Sequence, residues 1–477
     1  MSTATAIPDI DARIGIGAYA TKFPGLGGGY GIRSSPADFA VYEILSQKVL
    51  GSLSGSGRHD GGTAVVVGRR GVADNRRRER GGYAVYVLQK RGIDTTHALS
   101  AVHRMTGVRL KPLGLKDASA TTEQFVCSAG AGKRPLRDID SSRFGLRFAG
   151  YASKPLTKKQ MLGNKFRIRI AGEWDDDNSR RIGGKKVTPA DFEEYDVVPN
   201  FYGYQRFGSN RPVTHLVGGA VIRRDPGEAV RLILEFESPY DTAERRELRS
   251  QLADPASYAR SVKRLPPGMD TERVVLEGLA EHGDPARALR AIPIQLRRLY
   301  ISAYQSYIFN RALSAAVAGG ENLLEPESGD VCFDRDGKLF KYDGRTRGGT
   351  RGGGTRPART AHGGGGDGGR TDADLARARA ESVAVPVVGY GYYAKTRFAP
   401  YVLRVLEDEQ VAPADFFVKD MPSTGGEGGF RDAVIQCSGY SWDHDSKTVS
   451  FSLMRGSFAT VLLREVMKPP DPVAAGF

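Results

Sequence analysis

Residues 114–124 of this chain read GLKDASATTEQ, a glycine turn followed by a lysine, an aspartate and a run of small and hydroxyl-bearing residues. A carboxylate in this setting can act as a nucleophile, a base or a metal ligand, and the neighbouring Lys116 favours the ionised, metal-free form of Asp117. The alternative is structural: Asp117 caps the segment that follows the turn. The stretch alone does not decide between these two roles.

The composition excludes several classes of protein. The 477 residues are enough for two or three domains. No apolar run approaches the roughly 20 residues that span a bilayer, and the N-terminus lacks the pattern of a secretion signal. The three cysteines are far apart and odd in number, which argues against a disulfide framework and a zinc knuckle. We therefore expect a cytoplasmic protein without membrane segments.

The net charge of +14 points to a polyanionic partner, but most of it sits in two glycine-rich segments. Residues 51–80 carry a net charge of +4 and residues 341–380 carry +5, which together make 9 of the 14 excess positive charges. Neither segment has hydrophobic periodicity, so we expect two flexible inserts, at about 52–81 and 343–372. A solvated loop is the simpler role for each, and non-specific RNA binding is the alternative.

The patterning elsewhere alternates between strands and helices. Strands are predicted over 38–44, 83–90, 108–113, 165–170, 433–437 and 448–453. Helices are predicted from the capping residue Asp94 and over 242–252, 270–282, 285–292 and 296–315. In the last of these, Ile301, Tyr304, Ile308 and Ala312 form an apolar stripe that predicts core packing. The pattern indicates a β-rich body at both ends of the chain, with a largely helical region inserted between about 226 and 430.

Two segments could bind a nucleic acid. The predicted strand 165–170 alternates basic with apolar residues, so that Lys165, Arg167 and Arg169 share one face that meets either phosphate or solvent. Residues 198–208 read VPNFYGYQRFG, in which aromatic rings could stack an extruded base while Asn and Gln amides match its polar edges. Core packing explains the same aromatic residues, and the two roles are compatible.

Sites for a cofactor or a metal are not indicated. The loop Gly25–Gly31 superficially resembles a dinucleotide-binding turn, the basis for an alternative assignment as a nucleotide-dependent oxidoreductase. It follows a proline rather than a clear strand and precedes no helix, whereas a dinucleotide fingerprint needs both contexts. The seven histidines are scattered along the chain. We therefore expect neither a cofactor nor a metal.

Six motifs occur together and in order: DFxVxE (38–43), LxKRGxDT (88–95), GxKDxxAxTxQ (114–124), GNxFxI (163–168), PNFYGxQRFG (199–208) and YQSxxFN (304–310). In this combination the chain resembles the TruD family of tRNA pseudouridine synthases. The matching segments extend from about residue 13 to 465, apart from the two inserts.

The resemblance implies an α+β fold of the pseudouridine synthase type, with a mixed, mainly antiparallel sheet and an inserted, largely helical TRUD domain. It implies a catalytic body of residues 1–225 plus 431–477, and a TRUD domain of residues 226–430 that clamps the RNA. Asp117 matches the family's catalytic aspartate. The substrate-binding residues that we expect are Lys116, Asn200, Phe201, Tyr202, Arg33 and Gln124.

The resemblance also implies the reaction and the partner. The family isomerises a uridine of tRNA, usually at position 13, to pseudouridine without a cofactor, and we expect a monomer that binds tRNA. Which of Phe201 and Tyr202 stacks on the uracil stays open, and so does the role of Asp117 as nucleophile or base. The alternative function is a non-catalytic tRNA-binding protein of the same fold.

Overall fold

A computed structural model describes residues 6–53, 56–57, 67–68, 82–116, 118–132, 134–174, 181–182, 184–194, 198–334, 337–344 and 382–477. Asp117 and most of the two predicted inserts lie outside the described residues.

Within these ranges, the strands are β1 (Phe39–Leu45), β2 (Ser56–Gly57), β3 (Val67–Gly68), β4 (Tyr83–Arg91), β5 (Leu110–Pro112), β6 (Thr121–Ser128), β7 (Ile139–Asp140), β8 (Phe144–Ala152), β9 (Met161–Arg169), β10 (Arg181–Ile182), β11 (Lys185–Lys186), β12 (Val198–Pro199), β13 (Val331–Phe333), β14 (Leu339–Lys341), β15 (Ser382–Val387), β16 (Gly429–Asp432), β17 (Val434–Ile435), β18 (Cys437–Asp443) and β19 (Thr448–Met454). The α-helices are α1 (Asp9–Arg13), α2 (Gln47–Ser52), α3 (Thr95–Thr106), α4 (Thr214–Ile222), α5 (Pro226–Glu235), α6 (Ala243–Gln251), α7 (Tyr258–Val262), α8 (Asp270–His282), α9 (Pro285–Ala291), α10 (Ile294–Ala318), α11 (Ala399–Asp408) and α12 (Ala459–Met467).

The largest sheet has the strand order β18-β19-β9-β1-β6-β4-β8-β7, with β5 added beside β6. Its pairings are antiparallel except between β1 and β6, which run parallel from the Ala40–Thr121 pair to the Tyr42–Glu123 pair. Beyond that point β5 takes the place beside β6. The sheet therefore splits between β1 and β6. The α+β class with a mainly antiparallel sheet confirms the prediction.

Local sequence signals explain several elements. The Asp94 side chain accepts a hydrogen bond from the His97 backbone N–H at 2.9 Å, and so caps α3 as predicted. Strand β9 buries Phe166 and Ile168 and exposes Arg167, which confirms the predicted alternation. The loop Gly25–Gly31 leads into a 3₁₀ turn and β1 rather than a helix, so its surroundings differ from a dinucleotide-binding turn.

Two hydrophobic cores meet at the long helix α10. One core lies between the sheet, α12 and α10, and includes Phe166, Phe451 and Leu313. The other joins α10 to the helices between α4 and α11 through residues such as Val217 and Leu276. Residues Ile301, Tyr304, Ile308 and Ala312 form the predicted apolar stripe and are all at most 2% exposed. Helix α10 is therefore the wall shared by the β-rich and helical regions.

The region between residues 226 and 430 contains the predicted helices and also a four-stranded sheet that the sequence analysis did not predict. Its order is β14-β13-β15-β16. The pairing of β15 with β16 places β16 at the edge of the helical region. Strand β17, which follows β16 in the chain, pairs with β12 at the start of the aromatic segment 198–208.

Candidate active site

The split between β1 and β6 is occupied by the side chain of Glu43. Its Oε2 accepts a hydrogen bond from the Phe125 backbone N–H at 2.9 Å, at the level where parallel pairing has ended. The carboxylate is fully buried, and this burial raises the pKa of Glu43, an effect that the nearby Lys116 ammonium opposes. A buried acid thus replaces backbone pairing at the centre of the sheet.

Lys116, the residue before Asp117, points into the same split. Its Nζ lies 3.1 Å from Glu43 Oε1 and donates a hydrogen bond to Asn164 Oδ1 at 2.7 Å. Asn164 lies directly opposite Glu43 in the register of β9 and β1. The backbone N–H of Lys116 donates a second hydrogen bond, to Thr95 Oγ1 at 3.0 Å. The chain that leads into Asp117 is therefore fixed at both the main chain and the side chain of Lys116.

Gln124 stabilises the glycine turn through its side-chain amide. Its Nε2 donates to the Gly114 carbonyl at 3.1 Å, and its Oε1 accepts from Thr95 Oγ1 at 2.9 Å. Gln124 is completely buried. Its expected contact with substrate stays a prediction, whereas the contacts that the structure shows are with the turn itself.

The second cluster is the segment Asn200–Tyr202, which follows β12. The Asn200 backbone N–H donates to the Ala433 carbonyl at 2.9 Å. Arg431, on β16, donates from Nε to the Asn200 carbonyl at 2.8 Å and from Nη2 to Asn200 Oδ1 at 2.7 Å. Burial lowers the pKa of the Arg431 guanidinium. The guanidinium thus fixes the side-chain amide of Asn200 in one orientation.

Phe201 and Tyr202 have different environments. Phe201 is 1% exposed and belongs to the core beside the sheet, whereas Tyr202 is only partly buried. The Arg431 guanidinium carbon lies 4.1 Å from the centroid of the Tyr202 ring, and the Phe309 ring packs edge-on at 5.3 Å. Of the two rings, Tyr202 is the more exposed.

Asn310 of α10 holds the main chain of Tyr202. Its Oδ1 accepts from the Tyr202 N–H at 2.8 Å, and its Nδ2 donates to the Tyr202 carbonyl at 3.0 Å. A side-chain amide that satisfies both polar groups of one residue fixes the direction of that residue. The YQSxxFN motif therefore acts on the aromatic segment through its final asparagine.

The two clusters adjoin one core. Ala120, three residues after Asp117, is buried in the core that contains Phe201, and Tyr202 packs against this core. Arg33 contacts the same core at the beginning of β1, where its guanidinium carbon lies 4.3 Å from the centroid of the Phe39 ring. The structure therefore brings the Lys116 turn and the Tyr202 segment to one core, and the role of Arg33 in substrate binding stays a prediction.

Sequence reasoning missed Arg431 and assigned no role to Glu43 or Asn164. Glu43 and Asn164 are present in two of the quoted motifs, so their positions were visible although their contact with Lys116 was not. Arg431 stands in a glycine-rich stretch without a periodic pattern, and its link to Asn200 spans 231 residues. No local signal in the sequence points to it.

Among the residues that the structure describes, no group of three or more His, Cys, Asp or Glu side chains is arranged to hold a metal ion. The helices within the same residues include none that is long and apolar enough to cross a membrane.

Comparison with known proteins agrees with these features. The family model described as TruD, tRNA pseudouridine synthase D, matches residues 13–466. Relatives named "Probable tRNA pseudouridine synthase D" include one from Pyrobaculum arsenaticum, 30% identical over 98% of this chain and 99% of its own length. Another, from Pyrobaculum aerophilum, is 31% identical over 98% of this chain and 99% of its own length.

The structural comparison gives the same family. A crystal structure from Methanosarcina mazei that carries the name TruD is 25% identical to this chain, with a TM-score of 0.65, and the match covers 97% of this chain and 98% of that one. The resemblance noted in the six motifs is thereby confirmed over nearly the full length. The chain belongs to the TruD family of tRNA pseudouridine synthases.

Proposed function

We propose that this chain converts a uridine of tRNA to pseudouridine, at position 13, with Asp117 as the catalytic carboxylate. The observation that carries the proposal is the Tyr202 ring, partly exposed, held by Asn310 and stacked on Arg431 next to the oriented amide of Asn200. An aromatic face beside a fixed amide suits a flipped-out base, which an enzyme must extrude before acting on it.

The reaction places defined demands on such a site. The N1–C1′ bond of the uridine breaks, the uracil turns, and a C5–C1′ bond forms. The proton lost from C5 is balanced by one gained at N1, so that the product is an isomer. One carboxylate is needed, either as a nucleophile at C1′ or as a base for the 2′ proton, and Asp117 serves in one of these roles. A carboxyl group with an ordinary pKa of about 3.9 is ionised at neutral pH in either case.

The described contacts support separate roles for the surrounding residues. Tyr202 stacks on the uracil, and Asn200 bonds to its polar edge. Lys116, held by Glu43 and Asn164, keeps the main chain at Asp117 in place rather than taking part in bond breaking. Gln124 supports the same turn.

The wider assignments belong to the same proposal, and family membership supports them. We propose that residues 1–225 with 431–477 form the catalytic body, and that residues 226–430 form a TRUD domain that clamps tRNA against it. The enzyme acts as a monomer in the cytoplasm. The basic face of β9, including the exposed Arg167, contributes contacts to tRNA phosphates.

The test uses unmodified tRNA incubated with the wild-type protein and with Asp117→Asn, followed by mass-spectrometric mapping of pseudouridine. The wild type is expected to give one modified position, number 13, and Asp117→Asn to give no product. Asp140→Asn is the matched control, because Asp140 is an exposed aspartate elsewhere on the sheet, with a side chain 75% exposed.

Other outcomes distinguish the alternatives. Equal product from wild type and Asp117→Asn contradicts the catalytic assignment. Product at another uridine contradicts position 13 alone. A wild-type protein that binds tRNA tightly and modifies no tRNA is the non-catalytic binding protein of the same fold.

A further inference from the structure

Four aromatic side chains form a surface beside the candidate site. Tyr390, Phe417 and Tyr393 are 47%, 45% and 39% exposed, and Phe430 is partly buried. The rings pair as Tyr390 with Phe417, edge-on at 5.9 Å, and Tyr393 with Phe430 at 6.3 Å. Exposed apolar residues that cluster in this way mark binding sites, whereas single exposed apolar residues are common on any surface. We call these four residues the aromatic surface.

Backbone hydrogen bonds join the three loops that carry the aromatic surface. The Gly426 N–H donates to the Phe416 carbonyl at 3.0 Å, and the Tyr390 N–H donates to the Gly426 carbonyl at 3.0 Å. The loops also pack backbone to backbone, because a Cβ on Gly389 would lie only 2.3 Å from the Glu427 carbonyl carbon. The four rings therefore stand on one connected support.

Helix α10 connects this support to the segment Asn200–Tyr202, the proposed uridine pocket. Gln305 donates from Nε2 to the Val388 carbonyl at 2.6 Å, two residues before Tyr390. Phe309, one helical turn later on the same face, contacts the Tyr202 ring. Phe430 also directly precedes Arg431 in β16, and the Arg431 guanidinium stacks on Tyr202. The main chain that carries the aromatic surface is therefore joined to the Tyr202 segment through α10 and β16.

Exposed lysines accompany the rings. Lys395 follows Tyr393 by two residues and Lys419 follows Phe417 by two residues, and both are exposed. Aromatic faces interleaved with cations are the features with which proteins hold single-stranded nucleic acid, because every base has a face that stacks and every nucleotide carries a negative phosphate. An apolar protein partner would not require the lysines.

We infer that the aromatic surface binds unstacked bases of the RNA that flank the target uridine. This inference rests on the proposed function, since it takes the Tyr202 segment as the site of that uridine. A uridine turned out of its stack leaves neighbouring bases without partners, and the aromatic surface provides stacking faces for them next to the pocket.

The experiment measures the dissociation constant of a single-stranded 12-nucleotide RNA and kcat/KM for tRNA, with variants of the full-length protein. Tyr390→Leu and Tyr393→Leu are each expected to weaken RNA binding and lower kcat/KM by about 5- to 150-fold, the range for one lost base stack. Tyr390→Phe keeps the ring and should bind like wild type. Leu403→Ala is the matched control, since Leu403 is a 48% exposed apolar residue on α11.

The outcomes separate this inference from the proposed function. If wild type forms pseudouridine but Tyr390→Leu and Tyr393→Leu bind RNA and turn over like Leu403→Ala, the aromatic surface does not bind bases. A change only in oligomeric state on substitution would identify a protein interface and overturn the inference as well. If RNA binding depends on the rings while no tRNA is modified by wild type, the aromatic surface binds bases, but the proposed activity fails and so does the assignment of those bases to the flanks of a target uridine.

Discussion

The pair Glu43–Lys116 offers the most direct test of how the sheet supports the site. The perturbation is Glu43→Gln, which keeps an acceptor for the Phe125 N–H and removes the charge facing Lys116. With the ammonium nitrogen 3.1 Å from Oε1, Coulomb attraction at an effective dielectric constant of about 20 amounts to about 5 kcal/mol. Part of this is offset by desolvation, but loss of one partner leaves the other charge buried and alone.

We expect Glu43→Gln to lower the free energy of unfolding by about 3–5 kcal/mol, the usual cost of breaking a buried ion pair from one side. Lys116→Met should cost a similar amount, because the buried carboxylate then loses its counter-ion. The double variant removes both charges, so its cost should fall short of the sum of the two single variants by more than about 1 kcal/mol.

The assay is urea unfolding of the three variants and wild type, followed by pseudouridine formation under conditions where each variant is folded. Folded Glu43→Gln should lose kcat, since Lys116 no longer holds the main chain before Asp117. Costs that add within about 0.5 kcal/mol would show that the two charges do not stabilise each other. A folded Glu43→Gln variant with wild-type kcat would show that this contact does not position Asp117, the proposed catalytic residue.

Three further predictions concern other parts of the structure. Tyr202→Leu should lower kcat/KM for tRNA about 5- to 150-fold with little loss of stability. Phe201→Ala should instead lower the free energy of unfolding by about 3–5 kcal/mol. Loss of stability in Tyr202→Leu and loss of kcat/KM alone in Phe201→Ala would contradict the assignment of Tyr202 as the stacking ring. Arg167→Gln should reduce the slope of the logarithm of the tRNA-binding constant against the logarithm of the salt concentration by about 0.7–0.9. The control Arg231→Gln, whose arginine forms an ion pair on α5, should leave this slope unchanged. Equal slopes for the two variants would exclude a phosphate contact by Arg167 on β9. Burial lowers the pKa of His215 to about 4, so between pH 6.5 and 4 the unfolded state takes up a proton that the folded state does not. About 3 kcal/mol of the free energy of unfolding should therefore be lost as the pH falls through this range. Urea unfolding of His215→Gln should lack this pH-dependent loss, and the same loss in both proteins would contradict the role of His215.

Local patterns were sufficient to predict much of the fold. The alternation in β9, the capping Asp94 and the stripe on α10 are set by residues close in sequence, and the structure confirms each of them. Strand β15 was missed because its sequence SVAVPV is a short apolar run without alternation and contains Pro386, which argues against a central strand. In the structure Pro386 pairs in register with Phe430 of the edge strand β16.

The candidate site was less visible than the fold, for a physical reason. The motifs located Lys116, Gln124 and the Asn200 segment, but a motif does not say which side chains meet. The bonds that orient the site join distant parts of the chain, as Arg431 does with Asn200. Such contacts depend on the strand order of the folded protein, and no periodicity in the sequence carries that information.

Helix α10 shows why a motif can look like core and still serve the site. Its buried polar residues Gln305 and Asn310 would cost free energy in a purely apolar stripe, because a buried amide without partners loses its bonds to water. Both amides are instead bonded to loop backbone, Gln305 to Val388 and Asn310 to Tyr202. Five residues separate them, a rise of about 7.5 Å along the helix. The apolar stripe fixes α10 in the protein, and the two amides then set the distance between the loop of the aromatic surface and the loop of the proposed uridine pocket.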